Sequence, residues 1–177
     1  MTTSDSAALV DSVRQHRSAA PRAVRCAILT ISDTRTAETD TSGALIRRLL
    51  ERDGHDVLEG TIVPDDGERI RTKIGEWGAD PRIQAILCNG GTGIARRDTT
   101  FEALSGLLER RLDGFGELFR MLSYAEVGSA AMLSRAVAGL YRGTLVVAMP
   151  GSSNAVRLAM ERLILPELGH LIFELTK

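Results

Sequence analysis

The sequence has little of what marks a secreted, membrane-bound or nucleic-acid-binding protein. Its 177 residues include two cysteines, 4% aromatic residues and no apolar run close to the ~20 residues that span a bilayer. The 22 basic residues are balanced by 23 acidic ones, so there is no excess of positive charge to bind a nucleic-acid backbone. The first residues are polar and contain no apolar signal segment. We therefore expect a cytoplasmic protein without a membrane or nucleic-acid partner.

The chain is long enough for one domain with its own core. Cys26 and Cys88 each lie in an apolar run, which favours two buried free thiols over a disulfide or a metal site. Residues 1–22 are rich in Ser, Ala and Arg, which predicts a flexible N-terminal tail, with a marginal first helix as the alternative. Residues 23–177 are predicted to form a single α/β domain.

Strand-like and helix-like segments alternate along this domain. Short β-prone apolar runs occupy residues 23–31, 57–63, 83–88 and 143–149. Helical patterns occupy residues 41–52, 68–77, a segment from 99 that ends at Asp113-Gly114, most of 115–140, and 155–175 with a break at Pro166. The alternation predicts a mainly parallel sheet with helices on both faces.

Four loops rich in polar residues and glycine follow the predicted strands. They are residues 32–33, 64–66, 89–93 and 150–154. In open α/β sheets, ligands bind beyond the carboxyl ends of the strands. We therefore expect the binding site where these loops meet.

The loop made of Gly90, Gly91, Thr92 and Gly93, called the glycine loop below, has the features of a phosphate-binding loop. Glycines permit positive φ and let backbone N–H groups approach an anion closely, and a predicted helix follows. The spacing is neither that of a P-loop nor that of the dinucleotide fingerprint. For these four residues alone, a tight turn and a phosphate site are equally good interpretations. Residues 96–97, both arginine, are further candidates to contact phosphate, although solvated surface arginines are commoner.

Asp65 and Asp98 are the informative carboxylates beside these loops. A carboxylate next to a bound phosphate repels it unless a cation lies between them. Mg²⁺ is the natural cation, because it binds one or two carboxylates together with phosphate oxygens. The alternative is that Asp98 caps the helix at Thr99 and that Asp65 caps the one near Glu68. Capping fits Asp66 better than Asp65.

The loop of residues 150–154 is a second strand-to-helix junction. Ser152, Ser153 and Asn154 are all good N-cap residues, so helix capping is the alternative for each of them. Two such junctions in one sheet predict a long ligand or two anionic groups held side by side.

Five motifs occur in a fixed order along the domain. They are ISDTR at 31–35, NGGTGIARRD at 89–98, GFGELFR at 114–120, AMLSR at 131–135 and MPGSSN at 149–154. The set resembles the MoaB/MogA family of molybdenum cofactor biosynthesis proteins, over about residues 24–175. Several ordered motifs over that length make a specific match.

The resemblance implies a three-layer α/β/α domain of the MogA-like fold that assembles as a trimer or a hexamer. Active members adenylylate molybdopterin: its terminal phosphate attacks the α-phosphate of Mg-ATP, and pyrophosphate leaves. By resemblance, Asp65 and Asp98 are the catalytic residues and bind Mg²⁺, ATP and molybdopterin are the substrates, and the molybdate-inserting enzyme of the pathway is a further partner. The other residues implied by the family are Ser32, Asp33, Gly90, Gly91, Thr92 and Gly93 on the nucleotide side, and Ser134, Pro150, Gly151, Ser152 and Asn154 on the pterin side.

Two residues depart from the family pattern: Asn89, where Thr is frequent, and Ser153, where many relatives have a second Pro. Residues 123–128 favour the MoaB-like branch, and some members of that branch lack detectable transferase activity. A non-catalytic oligomer that binds molybdopterin or the finished cofactor is therefore the main alternative. A nucleotide pyrophosphatase of the related competence-damage type ranks last, because residues 97–99 replace its paired acidic motif.

Overall fold

The computed structural model describes residues 20–96 and 98–177, so nearly all of the predicted flexible tail (residues 1–22) lies outside the described part. The strands are β1 (Arg25–Ile31), β2 (Asp56–Val63), β3 (Ala85–Asn89), β4 (Arg110–Arg111), β5 (Val137–Tyr141) and β6 (Thr144–Met149). The α-helices are α1 (Thr41–Arg52), α2 (Gly67–Gly78), α3 (Thr100–Ser105), α4 (Asp113–Val127), α5 (Ser153–Ala159) and α6 (Leu165–Leu175). A 3₁₀ segment (Gly128–Leu133) follows α4, and a π-helical turn (Met160–Ile164) joins α5 to α6.

The described strands form a single sheet in the order β2-β1-β3-β6-β5-β4. Strands β2, β1, β3 and β6 pair in parallel, while β5 and β4 extend the sheet with antiparallel pairing. The carboxyl ends of the four parallel strands therefore lie at one edge of the sheet. The prediction of a mainly parallel sheet is confirmed.

Helices cover both faces of the sheet because its strands are apolar on both sides. Cys26 and Ile28 of β1 pack on one face with α1, α4, α5 and α6, whereas Ala27 and Leu29 pack on the other face with α2 and α3. This is the three-layer α/β/α arrangement. Cys26 and Cys88 are free and buried, as predicted, and burial raises the pKa of each thiol to about 12.

The segment 115–140 is only partly helical, which corrects the sequence-based prediction. Helix α4 ends at Val127, and residues 137–141 form β5. This strand pairs with β6 through a hairpin whose turn residues, Arg142 and Gly143, have φ of 50° and 77°, as a type I′ turn requires. A five-residue apolar run carries too little periodicity to distinguish a strand from a helix.

One predicted helix boundary is wrong and another is displaced. Asp113 begins α4 instead of ending the preceding helix, which stops at Ser105. The interruption predicted at Pro166 is the π-helical turn Met160–Ile164, and Pro166 itself lies in the first turn of α6, which follows that turn directly. Among the residues that the structure describes, no helix is both long and apolar enough to cross a membrane.

His55 lies between α1 and β2, and its buried imidazole makes the stability of the fold depend on pH. Its Nδ1 accepts a hydrogen bond from the backbone N–H of Val24 at 3.2 Å, and its side chain is buried. Burial lowers the pKa of His55 below 6.5, and the charges of Asp53 and Asp56 only partly oppose this. The unfolded chain therefore binds the proton more readily than the folded protein does, so stability falls as the pH drops below 6.5.

We expect His55→Asn to lose less stability on acidification than the wild type, because asparagine does not titrate and its Oδ1 can accept the same hydrogen bond. The measurement is the free energy of unfolding in urea at about pH 7.5 and about pH 5.5. An equal loss in both proteins would show that His55 is not responsible.

Candidate functional site

The four loops predicted to form the site meet at the carboxyl edge of the parallel strands. Gly90 donates its N–H to the carbonyl of Met149 at 3.1 Å. A Cβ at Gly151 would lie only 3.1 Å from the Cα of Gly90, so these two loops touch backbone to backbone. The backbone N–H of Asp65 donates to Oδ1 of Asp33 at 3.0 Å, which joins the other two loops.

The glycine loop adopts a conformation that side chains would prevent. Gly90 and Gly91 have φ of 101° and 60°, in the left-handed region that favours glycine. A Cβ at Gly90 would overlap the carbonyl oxygen of Ile31, and one at Gly91 would overlap Thr100 Oγ1. Only glycine therefore fits at these two positions, because the loop packs directly against the end of β1 and the start of α3.

Asp65 lies directly against the glycine loop. Its Oδ1 accepts hydrogen bonds from the backbone N–H and the hydroxyl of Thr99, both at 2.9 Å. Its Oδ2 lies 2.6 Å from where a Cβ at Gly91 would stand. The cap of α2 is Asp66, whose side chain accepts from the N–H of Arg69 at 2.9 Å. The capping interpretation thus holds for Asp66 and not for Asp65.

Asp98 lies against the other end of the same loop. Its Oδ2 accepts from the N–H of Ala95 at 2.8 Å and lies 2.5 Å from where a Cβ at Gly93 would stand. The N-cap of α3 is Thr99, which makes no side-chain cap hydrogen bond, so Asp98 does not cap this helix. The carboxylates of Asp65 and Asp98 occupy the space that side chains at Gly91 and Gly93 would fill.

Both carboxylates keep an oxygen that could bind a cation. Within residues 20–96 and 98–177, Asp65 Oδ2 and Asp98 Oδ1 accept no hydrogen bond, so each carboxylate keeps an oxygen for a cation. The same residues contain no cluster of three His, Cys, Asp or Glu side chains that would enclose a metal by themselves. Mg²⁺ suits such an open arrangement, because it takes its remaining ligands from phosphate and water.

Ser32 and Asp33 shape the first loop. The hydroxyl of Ser32 accepts from the N–H groups of Thr34 at 3.3 Å and Arg35 at 3.2 Å. Asp33 holds the backbone of Asp65. In this structure both side chains therefore organise the loops around the glycine loop.

A cleft of about 280 Å³ opens beside the glycine loop. Six of the predicted pterin-side and loop residues line it together with apolar side chains: Thr92, Gly93, Ser134, Pro150, Ser152 and Asn154. Gly151 does not line this cleft and lies instead against Gly90. Ser152 also caps α5, accepting from the N–H of Ala155 at 3.3 Å.

A buried polar network supports the loops from behind, and sequence reasoning missed it. Asn89, which is fully buried, accepts from Ser42 Oγ at 2.7 Å and donates to Thr30 Oγ1 at 2.9 Å. The Thr30 hydroxyl in turn donates to Asp40 at 2.5 Å. The signal available in the sequence was a polar residue, Asn89, ending an otherwise apolar strand.

Arg35 extends this network to the fourth loop. It pairs with Asp40 at 3.3 Å, contacts Ser42, and donates to the carbonyl of Gly151 at 2.9 Å. The first and fourth loops are thereby tied together. Arg96 is exposed and hydrogen-bonds to no residue in the described part of the chain, while residue 97 lies outside that part.

Comparisons with known proteins agree with this architecture. Residues 27–170 match the family described as "Probable molybdopterin binding domain". The chain is 57% identical over 169 residues to molybdenum cofactor biosynthesis protein B of Halalkalibacterium halodurans, covering 94% of this chain and 98% of that protein. It is 50% identical over 167 residues to the protein of the same name from Bacillus subtilis, covering 94% and 98%.

Solved structures are similar over nearly the same range. A crystal structure of molybdenum cofactor biosynthesis protein B superposes with a TM-score of 0.86 at 56% identity, covering 89% of this chain and 98% of that one. The tungsten cofactor synthesizing protein MoaB from Pyrococcus furiosus superposes with a TM-score of 0.79 at 36% identity, covering 89% and 100%.

Proposed function

Because the chain belongs to the MoaB family of molybdenum cofactor biosynthesis proteins, we propose that it adenylylates molybdopterin with Mg-ATP. One observation carries the proposal: Asp65 and Asp98 lie against Gly91 and Gly93 of the same loop. Two carboxylates beside a phosphate-binding loop are favourable only when a cation lies between them and the phosphate. Mg-ATP brings that cation with it.

The nucleotide half of the proposed site is the glycine loop with its two carboxylates. Backbone N–H groups of the loop bind phosphate oxygens, and Asp65 and Asp98 would hold Mg²⁺. When bound, Mg²⁺ supplies charge neutralisation at the phosphates. Ser32 and Asp33 keep the surrounding loops in place through the contacts described above.

The pterin half is the cleft lined by Ser134, Pro150, Ser152 and Asn154. Its apolar walls suit a planar ring system, and its hydroxyl and amide groups suit a terminal phosphate. The cleft shares Thr92 and Gly93 with the glycine loop. The two substrates would therefore meet at the loop with their phosphates side by side.

The proposed reaction needs positioning more than a covalent nucleophile. An oxygen of the molybdopterin phosphate attacks the α-phosphorus of ATP, and a new P–O bond forms. The bond from the α-phosphorus to the oxygen that bridges to the β-phosphorus breaks, and pyrophosphate leaves with the electron pair. A loop of fixed backbone donors provides the alignment and the charge stabilisation that this displacement requires.

We further propose a cytoplasmic homo-oligomer, a trimer or a hexamer, that passes its product to the molybdate-inserting enzyme. Large apolar side chains exposed on α4 and the following 3₁₀ segment support the oligomer. Met132 is 78% exposed, and Met121 and Tyr124 are more than half exposed. A group of large exposed apolar side chains is usual at subunit interfaces.

The test is an assay with purified protein, molybdopterin, ATP and Mg²⁺, read by mass spectrometry. We expect adenylyl-molybdopterin and one pyrophosphate per product. Equilibrium binding of molybdopterin without any adenylylated product, under conditions in which an active family enzyme works, would exclude the transferase. That outcome would favour the alternative of a non-catalytic pterin-binding protein.

A further inference from the structure

Arg135 contacts the backbone of the segment that carries the proposed nucleotide site. One guanidinium nitrogen, Nη2, donates to the carbonyl oxygens of Gly93 and Asp98, the latter at 3.0 Å. The backbone N–H of Arg135 donates to the carbonyl of Thr92 at 3.3 Å. Arg135 therefore binds the backbone at three residues of this segment: Thr92, Gly93 and Asp98.

The planar peptide bond transmits this hold to the other side of the loop. In a trans peptide the C=O and the following N–H point in opposite directions. When Arg135 fixes the carbonyl of Asp98, it also fixes the N–H of Thr99, and that N–H donates to Asp65 Oδ1 at 2.9 Å. By the same geometry, the hold on the Gly93 carbonyl directs the N–H of Ile94 away from Arg135.

The guanidinium of Arg135 also contacts two neighbouring side chains, Phe101 and Glu102. The guanidinium carbon lies 5.1 Å from the centroid of the Phe101 ring. Its Nη1 forms an ion pair with Glu102, and its side chain is 23% exposed. A lysine in this position has one compact ammonium group and does not reproduce the fork that serves both Glu102 and the loop.

We propose that Arg135 is a positioning residue for adenylyl transfer: through the peptide between residues 98 and 99, it sets the place of the Asp65 carboxylate. The proposal rests on the proposed function for its kinetic part and on the loop geometry for its structural part. Ser134, the neighbour of Arg135, lines the proposed pterin cleft. Arg135 therefore also fixes the position of the glycine loop relative to that cleft.

The variants are Arg135→Lys and Arg135→Met, with Glu102→Gln as the matched control. Arg135→Met keeps an unbranched stem against Phe101 and removes all the hydrogen bonds. Glu102→Gln removes the charge of the ion-pair partner and leaves the bonds to the Gly93 and Asp98 carbonyls intact. We expect both Arg135 variants to lower kcat by roughly 10- to 100-fold, as a misplaced catalytic group does, with the KM for molybdopterin unchanged. Glu102→Gln is expected to behave as the wild type.

Hydrogen exchange of the backbone amides tests the structural part independently of turnover. We expect faster exchange at the amide of Thr99 in both Arg135 variants, with unchanged protection in β1 and β3, and no change in Glu102→Gln. If one Arg135 variant loses protection throughout the sheet, it is not correctly folded, and the other Arg135 variant tests the proposal. Wild-type exchange at Thr99 in a folded Arg135 variant overturns the proposal, as does an equal effect of Glu102→Gln. Faster exchange together with an inactive wild-type protein would retain the positioning role and reject the transferase.

Discussion

Asp98→Asn is expected to reduce adenylyl transfer by a factor on the order of 10²–10³, the usual effect of removing one charge-stabilising group from an active site. The substitution removes the negative charge beside Gly93 but keeps an oxygen that can accept from the N–H of Ala95. The loop should therefore keep its shape while losing a ligand for Mg²⁺. The measurement is the initial rate of product formation over a titration of Mg²⁺, in which the variant should need a higher concentration.

Asp65→Asn is expected to have an effect of similar size, because the amide oxygen can still accept from Thr99. The matched control is Asp66→Asn, one residue away. Asp66 caps α2 through the N–H of Arg69, and asparagine caps a helix about as well as aspartate. Unchanged rates are expected for this control. Wild-type rates in both Asp65→Asn and Asp98→Asn would remove the basis for a metal site at the loop.

Gly90→Ala is expected to destabilise the fold by about 3 kcal/mol, the sum of an unfavourable left-handed backbone and an overpacked contact. Gly90 has φ of 101°, and its added Cβ would overlap the carbonyl oxygen of Ile31 at the end of β1. The backbone of β1 cannot move away from this Cβ, because β1 is hydrogen-bonded to a strand on each side. The measurement is the free energy of unfolding in urea at a fixed protein concentration, because an oligomer is stabilised by its own concentration.

Gly54→Ala is the control for backbone conformation alone. Gly54 has φ of 85°, also in the left-handed region, but no heavy atom lies within 4 Å of its added Cβ. We expect a loss of about 1 kcal/mol there. If the two alanine variants lose the same stability, the tight contact between Gly90 and Ile31 contributes nothing.

The central part of the fold follows from local sequence. Strands β1, β3 and β6 are runs of buried apolar residues, and such runs between amphipathic helices predict a covered parallel sheet. Strand β5 cannot be predicted from local sequence, because it forms by pairing with β6 across a turn. Strand β4 has two residues and exists only through its pairing with β5. The strand propensity of a single segment does not show with which other segment it pairs.

The candidate site divides in the same way. The glycine loop and Asp98 are adjacent in sequence, so their association is visible without a structure. The bonds from Thr99 to Asp65 span 34 residues, and the bond from Arg135 to Gly93 spans 42. No spacing rule predicts such contacts, since the strand order of the sheet creates them.

The hydrogen bond from Gly90 to Met149 makes the glycine loop depend on a strand that lies far along the chain. Strand β6 inserts between β3 and β5, yet it is the last strand to be synthesised. Contacts over such sequence separations form slowly, because a long loop must close before they are made. A nascent chain that lacks residues 144–149 has the glycine loop but not the neighbour on which it rests. If the loop binds a nucleotide as proposed, binding requires the complete sheet, and a chain without β6 is expected not to bind it.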